Sequence, residues 1–263
     1  MQARSAERRT APVASLTLGA LALCCALANA SASAQTEQTQ APPPPATAPD
    51  IPQPFLATYS VEWRGMGAGT STIELTRTSP NTFRYQSRNS ARGIFRIALP
   101  DAITQTSELS IVDGRVVPQS FSTDDGSSDT ARDVSLKFDW NAHQVTGTAE
   151  DQPVSAPLEA GVQDAGSVQI ALMRELSAGR SPRSFMMIDK NEVKEYQYAR
   201  EGEASIDTSI GKLDTVIYQS QRTGSSRLTR LWIAPSLGYI PVRAEQIRKG
   251  RREFTMQIRT LER

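Results

Sequence analysis

The segment DVSLKFDW, residues 133–140, alternates strictly between polar and apolar residues. The apolar side chains, from Val134 to Trp140, fall on one side of an extended chain, and the polar ones fall on the other side. This period of two predicts a β-strand with one buried and one hydrated face. The same alternation begins at Phe55 and recurs almost to the C-terminus, so the sequence predicts a fold built mainly from β-strands.

Apolar–polar runs at hairpin spacing predict about 12–14 strands after Phe55. Turn-forming residues separate these runs: Gly65, Asn81, Asp113-Gly114, Asn141, Gly202, Gly211, Gly224, Gly238 and Gly250. So many short strands with tight turns are typical of an antiparallel barrel or a single strongly curved sheet. The fold class is therefore all-β.

One segment departs from this pattern and predicts an α-helix over about 164–177. Asp164 is the expected cap and Gly179 the expected stop. The apolar positions cover well over half of the helix circumference: Val168, Ile170, Ala171, Leu172, Met173 and Leu176. A helix on the surface would have a narrower apolar stripe. We therefore expect the sheet to wrap around the helix and to bury Leu172.

The helix could instead mark a seam between β halves at 55–160 and 180–263. No linker-like stretch separates these halves, which favours one domain over 55–263.

The N-terminus has the features of a secretory signal peptide over residues 1–34. Three arginines precede a short apolar run at 13–27, and Ala32-Ser33-Ala34 offers small residues for cleavage after Ala34. The apolar run is shorter than the roughly 20 residues that span a bilayer. We expect export to the periplasm, or secretion, of a mature protein that does not span the membrane. A retained anchor is the alternative.

Cys24 and Cys25 are the only cysteines, and both lie in the predicted signal peptide. Lipid attachment would require a small residue before the modified cysteine, and neither Leu23 nor Cys24 meets that requirement. The mature chain should therefore contain no disulfide.

Residues 35–54 contain seven prolines and no aromatic residue, which predicts an extended, disordered linker.

Charge and histidine content exclude several kinds of function. The chain has 29 Lys+Arg, 28 Asp+Glu and a net charge of +1, which gives no reason to expect a nucleic-acid partner. His143 is the only histidine, and it lies in a predicted turn, so we expect neither a catalytic triad nor a zinc site. No cofactor is predicted.

Three polar segments have a possible chemical role and a simpler structural one. The cluster Asp124, Asp125, Asp129 and Asp133 lacks the spacing of a calcium loop and is interpreted as a polar turn. The glycine-rich segment 65–69 lacks the lysine of a phosphate-binding loop and is interpreted as a hairpin or bulge. The basic segment 248–252 could contact anionic headgroups, or could be a hydrated turn that discourages strand pairing.

The stretch LWIAPSLGYIPVR, residues 231–243, resembles a hallmark of exported bacterial proteins called domain of unknown function 3108. Phe138-Asp139-Trp140 and the helix start Asp164-x-x-Ser167 are similar to other features of that family. The resemblance covers roughly 55–261. It implies an incompletely closed β-barrel around one helix, similar in outline to periplasmic lipoprotein carriers. It also marks Asp164, Ser167, Trp232, Pro241 and Arg243 as candidate structural or ligand-facing residues.

These features lead to three functional hypotheses. The first is a non-enzymatic envelope protein that binds an apolar or amphipathic, lipid-like ligand, or a strand of an envelope protein, beside the helix. The second is a structural or assembly protein of the envelope without a small ligand. The third is a hydrolase of an envelope polymer that uses carboxylates such as Asp139 or Asp164.

Overall fold

The computed structural model describes residues 52–263. The predicted signal peptide, its cleavage after Ala34 and the linker up to residue 51 lie outside the described residues. The strands are β1 Phe55–Trp63, β2 Met66–Ser79, β3 Thr82–Ala91, β4 Ile103–Val112, β5 Arg115–Asp124, β6 Val134–Asp139, β7 Gln144–Ala149, β8 Gln152–Pro157, β9 Ser184–Asp189, β10 Glu192–Thr208, β11 Gly211–Arg222, β12 Arg227–Ala234, β13 Ile240–Arg248 and β14 Arg251–Glu262. The helix α1 spans Ser167–Ser177, and short 3-10 helices span Gly93–Ile97 and Pro235–Leu237.

All fourteen strands belong to one antiparallel sheet in the order β8-β7-β6-β5-β4-β3-β2-β1-β14-β13-β12-β11-β10-β9. The first and last strands pair in the middle of the sheet, and β8 and β9 form its two edges. The predicted all-β fold, an incompletely closed barrel around one helix, is confirmed. The edges come closest after β8, where the Gln163 N–H donates to the Met186 carbonyl at 2.8 Å and the Gln163 carbonyl accepts from Ile188 N–H at 2.9 Å.

The helix α1 connects the two edge strands and packs inside the curve of the sheet. One side of it, with Ile170 and Met173, shares a core with residues of β1–β5, β13 and β14. The other side, with Val168 and Leu172, packs on β9–β12. Leu172 is 2% exposed. The helix is thus enclosed from two sides, which explains the width of its apolar arc.

Asp164 organises the first turn of the helix, although α1 itself begins three residues later at Ser167. The Asp164 carboxylate accepts hydrogen bonds from the N–H groups of Gly166 at 2.7 Å and Ser167 at 2.8 Å. In return, the Asp164 N–H donates to the Ser167 hydroxyl at 2.8 Å. This reciprocal pair is a capping box. At the other end, Gly179 has φ +72° and its N–H donates to the Leu176 carbonyl at 2.9 Å, which closes the helix.

The structure corrects the sequence prediction at Gly202. We predicted a turn there, but β10 continues through it with a shift of register between Arg200 and Gly202. A glycine with φ +147° permits such a bulge without ending the strand. The resulting hairpin of β10 and β11 is long, and its tip folds against the outer face of β14. There Gln257 donates its amide N–H to the Asp207 carbonyl at 2.9 Å.

The glycine-rich segment 65–69 forms a hairpin turn and the start of β2. Arg64 and Gly65 occupy the turn with φ of 48° and 82°. The register shifts between Val61 and Glu62, opposite this segment. A Cβ at Gly69 would overlap the Ser90 carbonyl oxygen, so the close approach of β2 to β3 requires glycine there.

Candidate functional site

The helix fills only one end of the curved sheet. At this helix end, Arg174 of α1 donates its Nε–H to the carbonyl of Gly114, in the turn between β4 and β5, at 3.2 Å. The opposite end, where β1 ends at Trp63 and β13 ends at Arg248, is here called the open end. The alternation of β1 continues into this half, with Val61 and Trp63 on the same inner face as the buried Tyr59.

A continuous groove occupies the open half between sheet and helix. Its deep chamber has a volume of about 390 Å³ and lies against Tyr59, Tyr85 and Met173 of α1. Its outer chamber has a volume of about 820 Å³ and reaches Trp63 and Phe95 at the open end. Six residues line both chambers: Asn89, Gln105, Thr229, Ala244, Gln246 and Met256. The two chambers therefore form one site.

The polar groups on the groove wall are almost all neutral. Ser71, Ser87 and Asn89 line its deep chamber, and Asn89 donates to the Ser87 hydroxyl at 3.2 Å. The Ser71 hydroxyl is fully buried and has no hydrogen-bond partner. A buried hydroxyl without a partner is unfavourable unless something in the cavity supplies one. The groove can thus accept a hydrogen-bonding but uncharged part of a ligand.

Glu245 borders the outer chamber but does not place a charge in it. Its carboxylate is bound to Arg243 at 2.6 Å and to Arg252 at 3.0 Å. Burial alone would raise the pKa of Glu245, but the hydrogen bonds from these two arginines lower it. The acid is therefore ionised and neutralised within the sheet.

Asp164 is the buried acid next to the deep chamber, where the wall residue Ala165 follows it in the chain. Burial raises the pKa of Asp164 to about 6, although hydrogen bonds from Ser167, Ser107 and Gly166 act in the opposite direction and lower it. The Ser107 hydroxyl of β4 donates to it at 2.8 Å. Burial, and secondarily the charge of Asp164, raises the pKa of Tyr85. These contacts attach the start of α1 to the sheet.

The predicted site residues separate into two groups. Asp164, Ser167 and Leu172 are buried with the helix, and Pro241 lines the deep chamber. The Pro241 carbonyl accepts a hydrogen bond of 2.9 Å from the Tyr59 hydroxyl, and burial raises the pKa of Tyr59.

The other two predicted residues, Trp232 and Arg243, lie outside the groove. The neighbours of Trp232 in β12, Leu231 and Ile233, pack against the helix, so Trp232 points to the outer face. The Arg243 guanidinium lies 5.1 Å from the centre of its ring. The two side chains therefore pack on each other on the outer face of the sheet, and neither lines the groove.

Sequence reasoning missed the loop between β3 and β4, residues 92–102. Its 3-10 helix brings Phe95 against Trp63, with ring centres 5.8 Å apart, and so forms part of the outer chamber. The available signal was the apolar run Ile94, Phe95 and Ile97 between Gly93 and Pro100, which does not alternate like a strand.

The acidic side chains singled out in the sequence form hydrogen bonds within their own turns. Asp124, Asp125 and Asp133 come close enough to share a cation. However, Asp124 and Asp125 already accept N–H groups of Gly126 and Ser127, as expected for a polar turn. His143 lies exposed in the turn between β6 and β7. Asp139 is exposed and accepts the N–H groups of Asn141 and Ala142 in the same turn, whereas Asp164 is fully buried.

Comparison with known proteins supports both the family and the fold. The family model described as "Protein of unknown function (DUF3108)" matches residues 58–257. A β-barrel-like protein with a domain of unknown function DUF1849 from Brucella abortus is 11% identical, with a TM-score of 0.54, covering 80% of this chain and 97% of that chain. This likeness supports the fold alone.

Two more distant structures show weaker likeness. MucB in its complex with MucA from Pseudomonas aeruginosa is 15% identical with a TM-score of 0.35, and the match covers 81% of this chain and 52% of that chain. A domain described as an outer membrane lipoprotein-sorting protein from Vibrio parahaemolyticus is 7% identical with a TM-score of 0.28, covering 81% of this chain and 87% of that chain. No curated protein matches the chain. Within residues 52–263, none of the helices has the length and hydropathy of a membrane-spanning segment.

Proposed function

The chain belongs to the family of proteins of unknown function called DUF3108, and we propose that it is an exported, non-enzymatic envelope protein that binds an apolar or amphipathic ligand between sheet and helix. The observation that carries this proposal is the continuous groove. Its chambers of about 390 and 820 Å³ fall in the range of about 300–1,000 Å³ that is typical of ligand sites. An acyl chain or a similar apolar group is the kind of ligand such a wall favours.

The hydrogen-bonding groups in the groove support an amphipathic rather than a purely apolar ligand. Asn89, Gln105, Thr229 and Gln246 surround the junction of the two chambers. The partnerless hydroxyl of Ser71 lies deeper. Uncharged carbonyl or hydroxyl groups of a ligand would satisfy these side chains without the cost of burying a charge.

The surroundings of Asp164 support a non-enzymatic role. Its carboxylate accepts three hydrogen bonds that hold the helix start, from Gly166, Ser167 and Ser107. A catalytic acid needs a second acid or a bound nucleophile within reach. Asp139, the other carboxylate considered, is exposed at the end of β6.

The edges of the sheet favour a small ligand over a partner strand. The edge strand β8 contains Pro153 and ends at Pro157. Proline lacks the N–H that a new neighbouring strand would need. On the other edge, Gln163 already pairs with β9.

The proposal is tested by native mass spectrometry of gently purified protein and by titration with the apolar fluorophore N-phenyl-1-naphthylamine. We expect a reproducible lipid-sized added mass and saturable fluorescence. Ala244→Trp should abolish both, because residue 244 lines both chambers. Ala244→Leu fills less space and should weaken binding.

The matched control is Lys137→Trp, which adds the same side chain at an exposed position of β6. It should bind the fluorophore like wild type. Thermal unfolding of each variant identifies folded protein. A bare mass and no fluorescence from folded wild type would instead favour the structural or assembly role.

A further inference from the structure

Exposed apolar side chains gather at the open end. Residues 52–263 have seven exposed large hydrophobic side chains, and five of these border this end. They are Met66, Ile94, Ile97, Leu99 and Phe254, with Ile94 71% and Ile97 88% exposed. Val112 and Met186 lie elsewhere. Scattered exposed apolar residues are ordinary, but their concentration at one rim indicates an interaction surface.

The most exposed pair is held in a fixed position. Phe95 packs edge-to-face on Trp63, and the Arg92 N–H donates to the Ala68 carbonyl at 2.8 Å. Ile94 and Ile97 are three residues apart in the 3-10 helix Gly93–Ile97. Side chains three apart in a 3-10 helix lie above one another, so both isoleucines share one side of the loop.

A row of arginines lies on the same rim. In three adjacent strands, Arg227 is directly opposite Arg248, and Arg248 is directly opposite Arg251. Lys249 lies in the turn next to them. Within the described chain, none of these four side chains has an ion-pair partner. Like charges opposite one another destabilise a sheet, and an anion bound there would relieve the repulsion.

The apolar loop and the arginine row border the same opening. The outer chamber is lined by Phe95 and Leu99 from the loop, and by Gln246 and Phe254 on either side of the basic turn. Arg92 and Arg96 add positive charge to the loop itself. Apolar side chains flanked by cations are typical of proteins that lie on anionic membrane surfaces.

We propose that the open end docks on an anionic lipid bilayer. Ile94 and Ile97 enter the boundary between headgroups and acyl chains, and Arg227, Arg248, Lys249 and Arg251 contact anionic headgroups. This orientation places the mouth of the groove against the membrane. The six side chains named for docking do not line the groove, so docking can be tested separately from the proposed ligand.

The test is flotation of the purified protein with vesicles of phosphatidylcholine alone or mixed with phosphatidylglycerol. We expect binding to the mixed vesicles only, weakened by salt. Arg248→Gln with Arg251→Gln should weaken binding about 25-fold, at about fivefold for each basic residue near an anionic surface. Ile94→Ser with Ile97→Ser should weaken it by at least about tenfold.

The matched control carries Val112→Ser and Arg115→Gln, an exposed apolar and an exposed basic residue at the helix end. It should float like wild type. The proposal is overturned if wild type does not bind mixed vesicles, binds both vesicle types equally, or loses binding equally in the control.

Fluorophore uptake without vesicles separates this inference from the proposed function. Rim variants that fail to float but take up the fluorophore support membrane docking by the rim. A protein that floats but never takes up the fluorophore supports docking and contradicts the ligand site. If the wild-type protein takes up the fluorophore but does not float with vesicles, the docking proposal is contradicted and the ligand site is not.

Discussion

Ser107 and Asp164 form the buried link between the sheet and the start of its helix. The Ser107 hydroxyl on β4 donates to the Asp164 carboxylate at 2.8 Å, and both side chains are 0% exposed. The other oxygen of the same carboxylate accepts N–H groups of the first helical turn. Asp164 thus both attaches α1 to the sheet and caps its first turn, and the cost is a buried charge.

The wild-type protein should lose stability as pH rises because Asp164 ionises, and Asp164→Asn should remove this loss. The folded protein raises the pKa of Asp164 from 3.8 to about 6, so it holds the proton more tightly than the unfolded chain does. The contribution of Asp164 to the free energy of unfolding therefore falls as pH rises through this window, by on the order of 3 kcal/mol, and stays low above it. Asparagine keeps the oxygen that accepts from Gly166 and Ser167 but does not ionise.

The measurement is urea unfolding of wild type and Asp164→Asn between about pH 4 and pH 7. The stability of the variant relative to wild type should increase across this range. Glu175→Gln is the control, because hydrogen bonding to Arg180 lowers the pKa of Glu175 and its effect has the opposite sign. A difference that does not change with pH would show that Asp164 is ionised at no cost.

Ser71→Ala and Ser107→Ala should have different effects, although both serines are fully buried on the inner face of the sheet. Ser107→Ala removes a donor from a carboxylate and should cost about 1.5–3 kcal/mol of unfolding free energy. Ser71 has no partner, so Ser71→Ala should be neutral or stabilising by up to about 1 kcal/mol. Denaturant melts of the ligand-free proteins measure both. An equal loss in the two variants would contradict the assignment of Ser71 as a hydroxyl kept for a ligand.

The fold could be predicted from the sequence because its signals are local. In β1, Phe55, Ala57 and Tyr59 alternate with more exposed residues as expected, and the buried arc of α1 includes Leu172. Gly202 was misinterpreted because a glycine bulge and a turn give the same signal in a sequence. The pairing of β1 with β14 joins the first and last strands of the described residues, and no local pattern specifies it.

The groove could only partly be predicted. The sequence leads to the expectation of an apolar site beside the helix, but the wall of the groove combines residues far apart in sequence, such as Asn89 and Gln246. The family resemblance marks Trp232 as a candidate structural or ligand-facing residue, and the alternation around Leu231 and Ile233 places it on the outer face of the sheet. The loop with Ile94 and Ile97 was overlooked because apolar residues usually indicate core, and exposure depends on the strands around them.

Cleavage after Ala34 predicts a mature protein that begins at Gln35 and contains no cysteine. Mass spectrometry of periplasmic material should give that N-terminus without acyl chains. The midpoint of thermal unfolding should not respond to dithiothreitol, because no disulfide remains to be reduced. A retained Cys24, an acyl chain or a clear drop in the midpoint would each contradict the predicted cleavage.

Leu172→Ala and Leu172→Asp test whether the sheet depends on the enclosed helix. Leu172 is 2% exposed and packs in one cluster with Tyr198, Tyr218, Leu231 and Ile233. Leu172→Ala should lower the free energy of unfolding by about 2–5 kcal/mol, from lost transfer energy and the cavity left behind. Leu172→Asp should largely prevent folding, because it buries a carboxylate without a partner.

The matched control for Leu172→Asp is Val112→Asp. Val112 is 49% exposed and lies opposite Arg115, so the new carboxylate stays hydrated and gains a neighbouring cation. It should change stability by no more than about 0.5 kcal/mol. Urea melts and far-ultraviolet circular dichroism compare the variants. A mild effect of Leu172→Asp would mean that the sheet folds without enclosing α1. The groove, whose deep chamber ends against that helix at Met173, would then lose its inner wall, and the proposed ligand site with it.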